Sequence, residues 1–425
     1  MNQDQPKGTV AIVGSGIIGI TTALELQEAG YQVTLFDKTE PATETSYGNA
    51  SFLAIELIDP QATVGNIVSA VKQLFSENAA LKVTPDHLLS FIPWSIKFLK
   101  EVASSRQDKS RKAIVALNKH SINAWKSLLN RSNCEEMVRK SGYLQVWEKS
   151  SSIKQAENCQ KALQAQGIEC EILKDAAVFE KEPALSRDIK HALYCPESVQ
   201  LLDPYETAVA LFDRFVQQGG NFKQSEVKQI STPNQRVGLS TSSGDFDFDK
   251  LVVCAGVWSK KLLEQLGLDI PLVAERGYHL TFPESPVKFK RLIMSADRHV
   301  MLTPLKTGMR ITGFAEFANV DSKPVAKRYD TLSKHINAII PNFDADKQQP
   351  SKWMGNRSTL PDSLPVIDLH PEHPQIGMVF GHQHLGLTQA PISAKIITAL
   401  IDGDKSNQTL ADFKDVLSSF SVNRF

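Results

Sequence analysis

The 425-residue sequence is poor in cysteine and has no excess of charge of either sign. Its five cysteines are scattered, with no Cys-x-x-Cys pair and no zinc-like spacing, so we expect neither a disulfide framework nor a bound metal. Lysine plus arginine and aspartate plus glutamate both number 47. Because no basic tract is interleaved with aromatic residues, we expect no nucleic-acid partner.

Long apolar runs are also missing. No stretch of about 18 uninterrupted apolar residues is present, so no segment is expected to span a membrane. The first eight residues are polar and lack the apolar region of a signal peptide. We therefore expect a cytoplasmic protein, with peripheral association with the inner face of the membrane left open.

The strongest pattern lies at the start of the chain, where two short strands, residues 9–13 and 33–37, flank a helical run. The turn after the first strand reads Gly14, Ser15, Gly16, Ile17, Ile18 and Gly19. Gly14 permits the tight turn, Gly16 lets backbone N–H groups approach a pyrophosphate, and Gly19 lets the helix pack closely on the strand. Asp37 ends the second strand, where a carboxylate can accept from ribose hydroxyls. The pattern predicts a dinucleotide site at the helix N-terminus.

Other segments are expected to lie along the same cofactor. Residues 43–51 are dense in hydroxyls and small side chains and follow the ribose position, whereas an ordinary surface loop is the alternative. Residues 251–256 form an apolar strand ending in small residues, and residues 221–230 are predicted as a strand containing Val227. The further cofactor-binding candidates are Lys38, Thr45, Ser46, Asn49, Ser51, Val227, Ala255, Gly256 and Trp258.

A second glycine-bounded loop precedes a second helix near the C-terminus. A strand at 378–380 leads into the loop, and a helix is predicted over residues 388–401 with Pro391 in its first turn. Such an N-terminus stabilises an electron-rich group, and in a flavoenzyme this is the pyrimidine edge of the flavin. The candidates here are Gly381, His384, Gly386, Leu387 and Thr388.

The middle of the chain differs in kind. Residues 65–139 are predicted to be helical, and the aromatic stripe at 91–99 has two interpretations: core packing of a helical insertion, or contact with a membrane surface or electron acceptor. Short alternating strands at 278–282, 299–303 and 309–313 indicate an antiparallel sheet.

Taken together, these segments resemble the FAD-dependent D-amino-acid dehydrogenase group of the glycine-oxidase and D-amino-acid-oxidase superfamily. The resemblance spans nearly the whole chain and is carried by residues 14–19, 44–49, 254–259, 276–279, 357–362 and 381–386. It implies an α/β fold with a discontinuous Rossmann-like FAD-binding domain, formed by residues 1–60, 190–265 and 351–425. It also implies an α+β substrate domain, residues 61–189 and 266–350, with an antiparallel sheet and a helical insertion.

The resemblance also implies a reaction, in which the α-hydride of a small amino or imino acid passes to flavin N5. Arg357 matches the position that pairs with the substrate carboxylate, although Ser358 replaces the proline that commonly follows it. Tyr278 is a second carboxylate donor, and Arg276 is either a weaker candidate or part of a structural ion pair. One of His382 and His384 is expected beside flavin or substrate, with His384 retained as a catalytic candidate; the alternative is that both satisfy loop backbone. The Gly-His-x-His-Leu-Gly form resembles the subgroup that acts on D-hydroxyproline or D-proline.

Several alternatives stay open. Electrons pass to a quinone or another respiratory carrier, or to oxygen. The nearest rival activity is a sarcosine- or glycine-oxidase-like oxidase of N-alkyl amino acids, and more distant ones are a nicotinamide-dependent dehydrogenase and a dinucleotide-binding regulatory protein. Because no cysteine follows Cys254, flavin attachment to a C-terminal cysteine is impossible, and we expect noncovalent FAD.

Overall fold

The computed structural model describes residues 6–63, 81–84, 87–404 and 406–425. The strands, in chain order, are β1 (Thr9–Val13), β2 (Gln32–Asp37), β3 (Phe52–Leu53), β4 (Leu81–Val83), β5 (Val138–Lys140), β6 (Tyr143–Trp147), β7 (Glu171–Lys174), β8 (His191–Cys195), β9 (Val199–Leu201), β10 (Asn221–Gln224), β11 (Val227–Ser231), β12 (Val237–Thr241), β13 (Gly244–Phe248), β14 (Lys250–Val253), β15 (Val273–Phe282), β16 (Leu292–Ser295), β17 (Val300–Leu305), β18 (Gly308–Phe317), β19 (Ser351–Thr359), β20 (Val366–Leu369) and β21 (Ile376–Phe380). The helices are α1 (Ile17–Glu28), α2 (Leu88–Lys100), α3 (Ser104–Arg131), α4 (Ile153–Gln164), α5 (Ala176–Lys181), α6 (Pro204–Gln217), α7 (Ser259–Glu264), α8 (Ala326–Ile339), α9 (Gly386–Asp402) and α10 (Gln408–Phe413).

One sheet has six strands in the order β10-β2-β1-β14-β21-β20, and all but β20 run parallel. β1, β14 and β21 are apolar runs buried along most of their length, as expected for strands covered on both faces. The carboxyl ends of parallel strands meet at one edge of a sheet. The turns after β1, β2, β14 and β21 therefore share that edge, which confirms the Rossmann-like part of the predicted fold.

The second large sheet has nine strands, mostly antiparallel. Its path is β19-β15-β18-β17-β16-β6-β8-β7, with β4 paired to β18. β15 lies between β18 and β19, and α8 packs against one of its faces. This is the antiparallel sheet that the sequence predicts. The described residues also form two small antiparallel sheets, β11-β12-β13 and β3-β9-β5.

Several predicted boundaries need correction. β8 and β19 pair within the nine-stranded sheet, although the predicted boundaries at 190 and 351 place them in the FAD-binding domain. The strand predicted over 221–230 is two strands in different sheets, β10 and β11. The C-terminal helix begins at Gly386, which places Pro391 beyond the first turn.

The helical insertion is formed by α2 and α3, whereas residues 81–83 are a strand rather than helix; residues 64–80 and 85–86 of the predicted helical stretch lie outside the described residues. Within α2, Trp94 is buried and stacks on Phe91 and Phe98. The aromatic residues of the stripe therefore pack on one another, with Trp94 buried and Phe91 and Phe98 partly exposed. In the described part of the chain, no helix is both long and apolar enough to cross a membrane.

Candidate active site

The turn after β1 is built for close backbone packing. Gly14 has φ +108°, and a Cβ there would lie 2.5 Å from the carbonyl oxygen of Cys254. A Cβ on Gly19 would lie 1.8 Å from the carbonyl oxygen of Gly14. Both positions therefore exclude any side chain. These constraints match the dinucleotide fingerprint, in which the helix must approach the strand closely.

Asp37 lies next to this turn and is bonded to it. Its Oδ2 accepts from the backbone N–H (2.7 Å) and the hydroxyl (2.9 Å) of Ser15, and its Oδ1 accepts from the N–H of Thr39 (3.1 Å). Ser46 Oγ accepts from the N–H of Ile17 at 2.9 Å. The N–H groups of Ser15 and Ile17 are therefore engaged within the protein, unlike the free donors that the sequence predicts for this turn.

The predicted cofactor loop, residues 43–51, lies between α1 and the nine-stranded sheet. Arg310 Nη1 on β18 donates to the carbonyls of Tyr47 (3.0 Å) and Asn49 (2.7 Å). Thr45 Oγ1 donates to the carbonyl of Asn356 on β19 at 2.7 Å. Arg310 is nearly fully buried, and this burial lowers its pKa to about 10. The loop is thus held against the nine-stranded sheet while Ser46 contacts α1.

The remaining N-terminal and central candidates have identifiable surroundings. Ser51 Oγ donates to the carbonyl of Leu201, and its own N–H donates to Asn49 Oδ1 at 2.8 Å. Lys38 Nζ lies 4.2 Å from the ring centroid of Trp258, so the turns after β2 and β14 touch. Ala255 and Gly256 follow β14 after Cys254, and Val227 is a buried residue of β11.

The C-terminal loop follows β21 at the same sheet edge. Gly381 has φ +84°, and its N–H donates to Ser358 Oγ at 3.2 Å, so the serine that replaces the family proline anchors this loop. Thr388 Oγ1 accepts from the N–H of Ala54 at 2.9 Å, and the carbonyl of Leu387 accepts from Trp125 Nε1 at 2.9 Å. Gly386 is the first residue of α9, whose first turn carries no acidic side chain.

The two histidines of this loop differ in their surroundings. His382 is buried with its Nε2 2.9 Å from Ser393 Oγ, and burial lowers its pKa to about 3. It is therefore a neutral structural residue. His384 is more than one-third exposed, and its Nε2 lies 3.1 Å from Glu275 Oε1.

Glu275 is the centre of a cluster that the sequence does not predict. Its Oε1 also accepts from Arg357 Nη1 at 3.2 Å, and its Oε2 accepts from Thr359 Oγ1 at 3.1 Å. Burial alone would raise the pKa of this carboxyl, but His384, Arg357 and Thr359 hold it at about 2. Glu275 is therefore an anion that joins the predicted substrate arginine to the C-terminal loop.

The backbone around Arg357 is shaped to receive its guanidinium group. A Cβ on Gly277 would lie 2.2 Å from Arg357 Nη2, so a side chain at 277 cannot coexist with the observed guanidinium. The carbonyl of Phe314 accepts from Arg357 Nη1 at 3.1 Å, and Phe314 has φ +72°. For a bulky residue this backbone conformation costs about 1–3 kcal/mol and is typical of functional sites.

The structure corrects the interpretation of Tyr278. Glu275, Gly277 and His279 of β15 share a face with Arg357, because Glu275 and Arg357 are directly paired and side chains alternate along a strand. Tyr278 points to the opposite face. There its hydroxyl donates to Glu316 Oε1 at 2.7 Å and accepts from the N–H of Val325 at 3.2 Å. It is 1% exposed, and this burial away from Arg357 argues against contact with the substrate carboxylate.

Arg276 lies on the same far face, and its contacts support the second of its two interpretations, a structural ion pair. Its Nη1 is 3.8 Å from Glu316 Oε1 and donates to the carbonyl of Lys323 at 3.3 Å. Its Nη2 donates to the carbonyls of Asn319 and Ser322. These contacts tie β15 to Glu316 of β18 and to the chain that follows β18.

Sequence reasoning missed Glu275, Arg310 and Trp353. Trp353 pairs with His279 across the strands, and the two rings stack at 4.9 Å. Its indole covers Gly48 and Gly355, since a Cβ on either would lie 2.0–2.2 Å from the ring. One feature of the sequence could have indicated Glu275. It is an acidic residue two positions before a glycine, in a run whose pattern otherwise predicts a strand.

Comparisons with known proteins agree with this geometry. A family model described as "DAO: FAD dependent oxidoreductase" matches residues 9–400. The chain is 30% identical over 406 residues to a D-amino acid dehydrogenase of Vibrio vulnificus (strain CMCP6), covering 93% of this chain and 96% of that one. It is 26% identical to a D-amino-acid oxidase of Bradyrhizobium diazoefficiens, covering 96% and 98%. The fold is similar to that of glycine oxidase from Geobacillus kaustophilus, with a TM-score of 0.75, 19% identity and coverage of 98% and 99%.

Proposed function

Because the chain belongs to the DAO family of FAD-dependent oxidoreductases, we propose that it oxidises a D-amino acid or a cyclic D-imino acid. When bound, FAD supplies at N5 the two-electron acceptor for the hydride of the substrate α-carbon. The product is an imine, which water hydrolyses to an oxo acid. D-Proline and D-hydroxyproline are the substrates to test first, since the loop at 381–386 has the form typical of that subgroup.

The observation that carries this proposal is the placement of Arg357. Its guanidinium lies over Gly277, and its side chain is 19% exposed, whereas its partner Glu275 is 1% exposed. A planar guanidinium can hold both oxygens of a carboxylate, which fixes the position of the α-hydrogen. Correct orientation of this kind accounts for a large share of catalysis when no strong base is needed.

His384 is the residue that we propose to receive the substrate's amine proton. Its Nε2 faces Glu275, so in the neutral ring Nε2 carries the hydrogen and Nδ1 is left as an acceptor. An ammonium group beside Nδ1 can transfer its proton there, which leaves the neutral amine from which hydride transfer proceeds.

Residues at the carboxyl edge of the six-stranded sheet are proposed to hold FAD. The side-chain-free turn at Gly14, Gly16 and Gly19 fits a pyrophosphate, and Asp37 retains acceptor capacity for ribose hydroxyls. The N-terminus of α9 has no acidic residue in its first turn and fits the pyrimidine edge. We propose noncovalent attachment, so acid precipitation should release all of the flavin; flavin left in the pellet would contradict this.

An anaerobic screen of D-amino, L-amino and N-alkyl amino acids, scored by bleaching of the flavin, tests the activity. We expect D-amino or cyclic D-imino acids to bleach the flavin fastest. A preference for L-amino acids would refute the proposal. Fastest bleaching by sarcosine or glycine would favour the alternative, an oxidase like the glycine oxidase whose fold this chain resembles.

The electron acceptor is the second part of the proposal. We propose a respiratory quinone, as opposed to the oxygen used by an oxidase. The reduced protein should therefore be reoxidised faster by a soluble quinone analogue than by air-saturated buffer. Equal or faster reoxidation by oxygen would assign the protein to the oxidases.

We further propose that a membrane surface is reached through α2. Leu89 is 81% exposed, and four other large apolar residues of α2 are also exposed at positions typical of one helix face: Leu88, Ile92, Ile96 and Leu99. Lys97 and Lys100 lie in the last turn of the helix, where they suit anionic headgroups.

Co-sedimentation with vesicles tests this contact. Wild-type protein should pellet with vesicles containing phosphatidylglycerol, and Leu89→Glu should weaken this binding. Val216→Glu changes an exposed apolar residue on α6 and should have no effect. Equal vesicle binding by Leu89→Glu and wild type would refute the assignment of α2.

A further inference from the structure

Glu275 does not fit the simple picture of a site built to bind a carboxylate. It is an anion that already contacts the arginine on which the substrate anion is proposed to bind. A like charge beside a binding site disfavours the bound anion. Because Glu275 is 1% exposed, it acts through its neighbours rather than on the substrate.

The contacts of Glu275 come from separate parts of the chain. Arg357 and Thr359 lie on β19, and His384 lies in the loop before α9. One buried carboxylate therefore joins the nine-stranded sheet to the loop at the carboxyl edge of the six-stranded sheet. Charge-assisted hydrogen bonds of this kind are shorter and stronger than neutral ones, and they fix both partners.

Arg357 is constrained from other directions as well. Gly277 leaves no room for a side chain below the guanidinium, and Phe314 adopts φ +72° while its carbonyl accepts from Nη1. Nη1 is thus engaged by the protein. Nη2 lies over the side-chain-free Gly277. The arginine is held in place before any substrate arrives.

We propose that Glu275 is a positioning residue that holds Arg357 and His384 as one unit and offsets the charge of the arginine. This inference rests on the proposed function. The offset weakens binding of simple anions, and the fixed geometry speeds hydride transfer from the amino acid. Glu275 therefore lowers the affinity for anions and raises the rate of hydride transfer.

The test is Glu275→Gln, which keeps the shape and one acceptor oxygen but removes the charge. Acetate and propionate, which lack an amine, are titrated into the oxidised protein, and binding is followed by the flavin spectrum and by calorimetry. We expect their Kd to fall about tenfold, at the low end of the effect of a neighbouring like charge. Anaerobic stopped-flow with the best amino acid should show flavin reduction slowed by about tenfold or more, as expected when orientation is loosened. Glu275→Asp keeps the charge and should restore the wild-type Kd.

Glu316→Gln is the matched control, because Glu316 is an equally buried carboxylate that pairs with arginines on the other face of β15. It should change neither the Kd for acetate nor the rate of flavin reduction. Unchanged values in Glu275→Gln, or weaker anion binding in parallel with slower reduction, would overturn the proposal. If Glu275→Gln loses its flavin, Thr359→Val removes one hydrogen bond to Glu275 instead. It should leave the Kd for acetate unchanged, because the Glu275 charge remains, and slow reduction to a smaller extent than Glu275→Gln. A Thr359→Val variant that reduces its flavin at the wild-type rate would overturn the proposal.

The two proposals fail separately. If no amino acid reduces the wild-type flavin but Glu275→Gln still tightens anion binding, the proposed function is wrong and the charge offset stands. If D-amino acids reduce the wild type and Glu275→Gln behaves as wild type, the function stands and the role of Glu275 is wrong.

Discussion

The two faces of β15 each place a buried glutamate beside arginine. On the near face, which carries Glu275 and Gly277, Arg357 keeps part of its guanidinium accessible at 19% exposure. On the far face, which carries Arg276 and Tyr278, Arg276 is 0% exposed and its Nη groups donate to backbone carbonyls of residues 319–323.

The difference shows how one strand serves stability and function at once. The two Nη groups of Arg276 are engaged by buried partners, and removing one partner of a buried ion pair is costly. An ion pair that leaves donors accessible at a sheet edge can bind a ligand. We therefore propose that Arg357 serves the substrate and Arg276 the fold, and mutating each in turn tests this division.

The largest effect is expected for Arg357→Ala. Loss of the carboxylate anchor should lower kcat/KM for the best amino acid about 10³-fold, equivalent to about 4 kcal/mol, because a charge pair that is truncated on one side loses its binding and orientation. FAD content should stay at the wild-type level, as measured by flavin absorbance per protein. Lys352→Ala removes an exposed cation from the same strand and should leave kcat/KM unchanged. Wild-type kinetics in Arg357→Ala would refute the proposal that the near face of β15 binds the substrate.

The next effect concerns the far face. Arg276→Met should lower the free energy of unfolding by about 3 kcal/mol, because Glu316 loses a buried cationic neighbour and the carbonyls at 319–323 lose their donor. Turnover per bound flavin should remain close to wild type. Urea unfolding and steady-state kinetics on the same preparation check both parts. A large loss of turnover without loss of stability would reverse the assignment of the two faces.

Much of the fold could be predicted because its signals are local. The turn at 14–19 and the acid at 37 lie within one short stretch, and each glycine has a steric reason that the structure repeats at Gly14 and Gly19. The strand predicted over 221–230 was wrong in one respect. Residues 225–226 separate β10 from β11, and nothing local indicates that the two strands join different sheets.

The candidate site was less predictable because it depends on long-range pairing. Adjacent residues of β15 point to opposite faces. A register error of one residue would therefore place Tyr278, and not Glu275, on the face that meets Arg357. Only the pairing of Glu275 with Arg357, 82 positions away, decides which face meets the arginine. Arg310 is a similar case, since its contact with the loop at 47–49 spans more than 260 positions.

A pH titration of stability tests the ion pairing of Glu275 on the near face of β15. The pKa of Glu275 is lowered from the ordinary 4.5 to about 2, so the folded protein binds fewer protons than the unfolded chain in this interval. The stability that Glu275 contributes is complete above pH 4.5 and is lost as the pH falls through 2. Between pH 5 and pH 3, wild type should therefore lose about 2 kcal/mol more unfolding free energy than Glu275→Gln. Parallel curves from urea unfolding at each pH would contradict the ion pairing of Glu275.

The smallest effect is expected for Tyr278→Phe. Removal of the hydroxyl takes one donor from Glu316 and leaves the N–H of Val325 without that acceptor, at a cost of about 1 kcal/mol in unfolding free energy. Burial and the hydrogen bond to Glu316 raise the pKa of Tyr278 to about 12, so the phenol stays protonated across the working range. Tyr278→Phe should therefore show the wild-type pH–rate profile and the wild-type KM. A raised KM at unchanged stability would indicate that Tyr278 binds the substrate carboxylate. The two faces of β15 would then not have separate functional and structural roles.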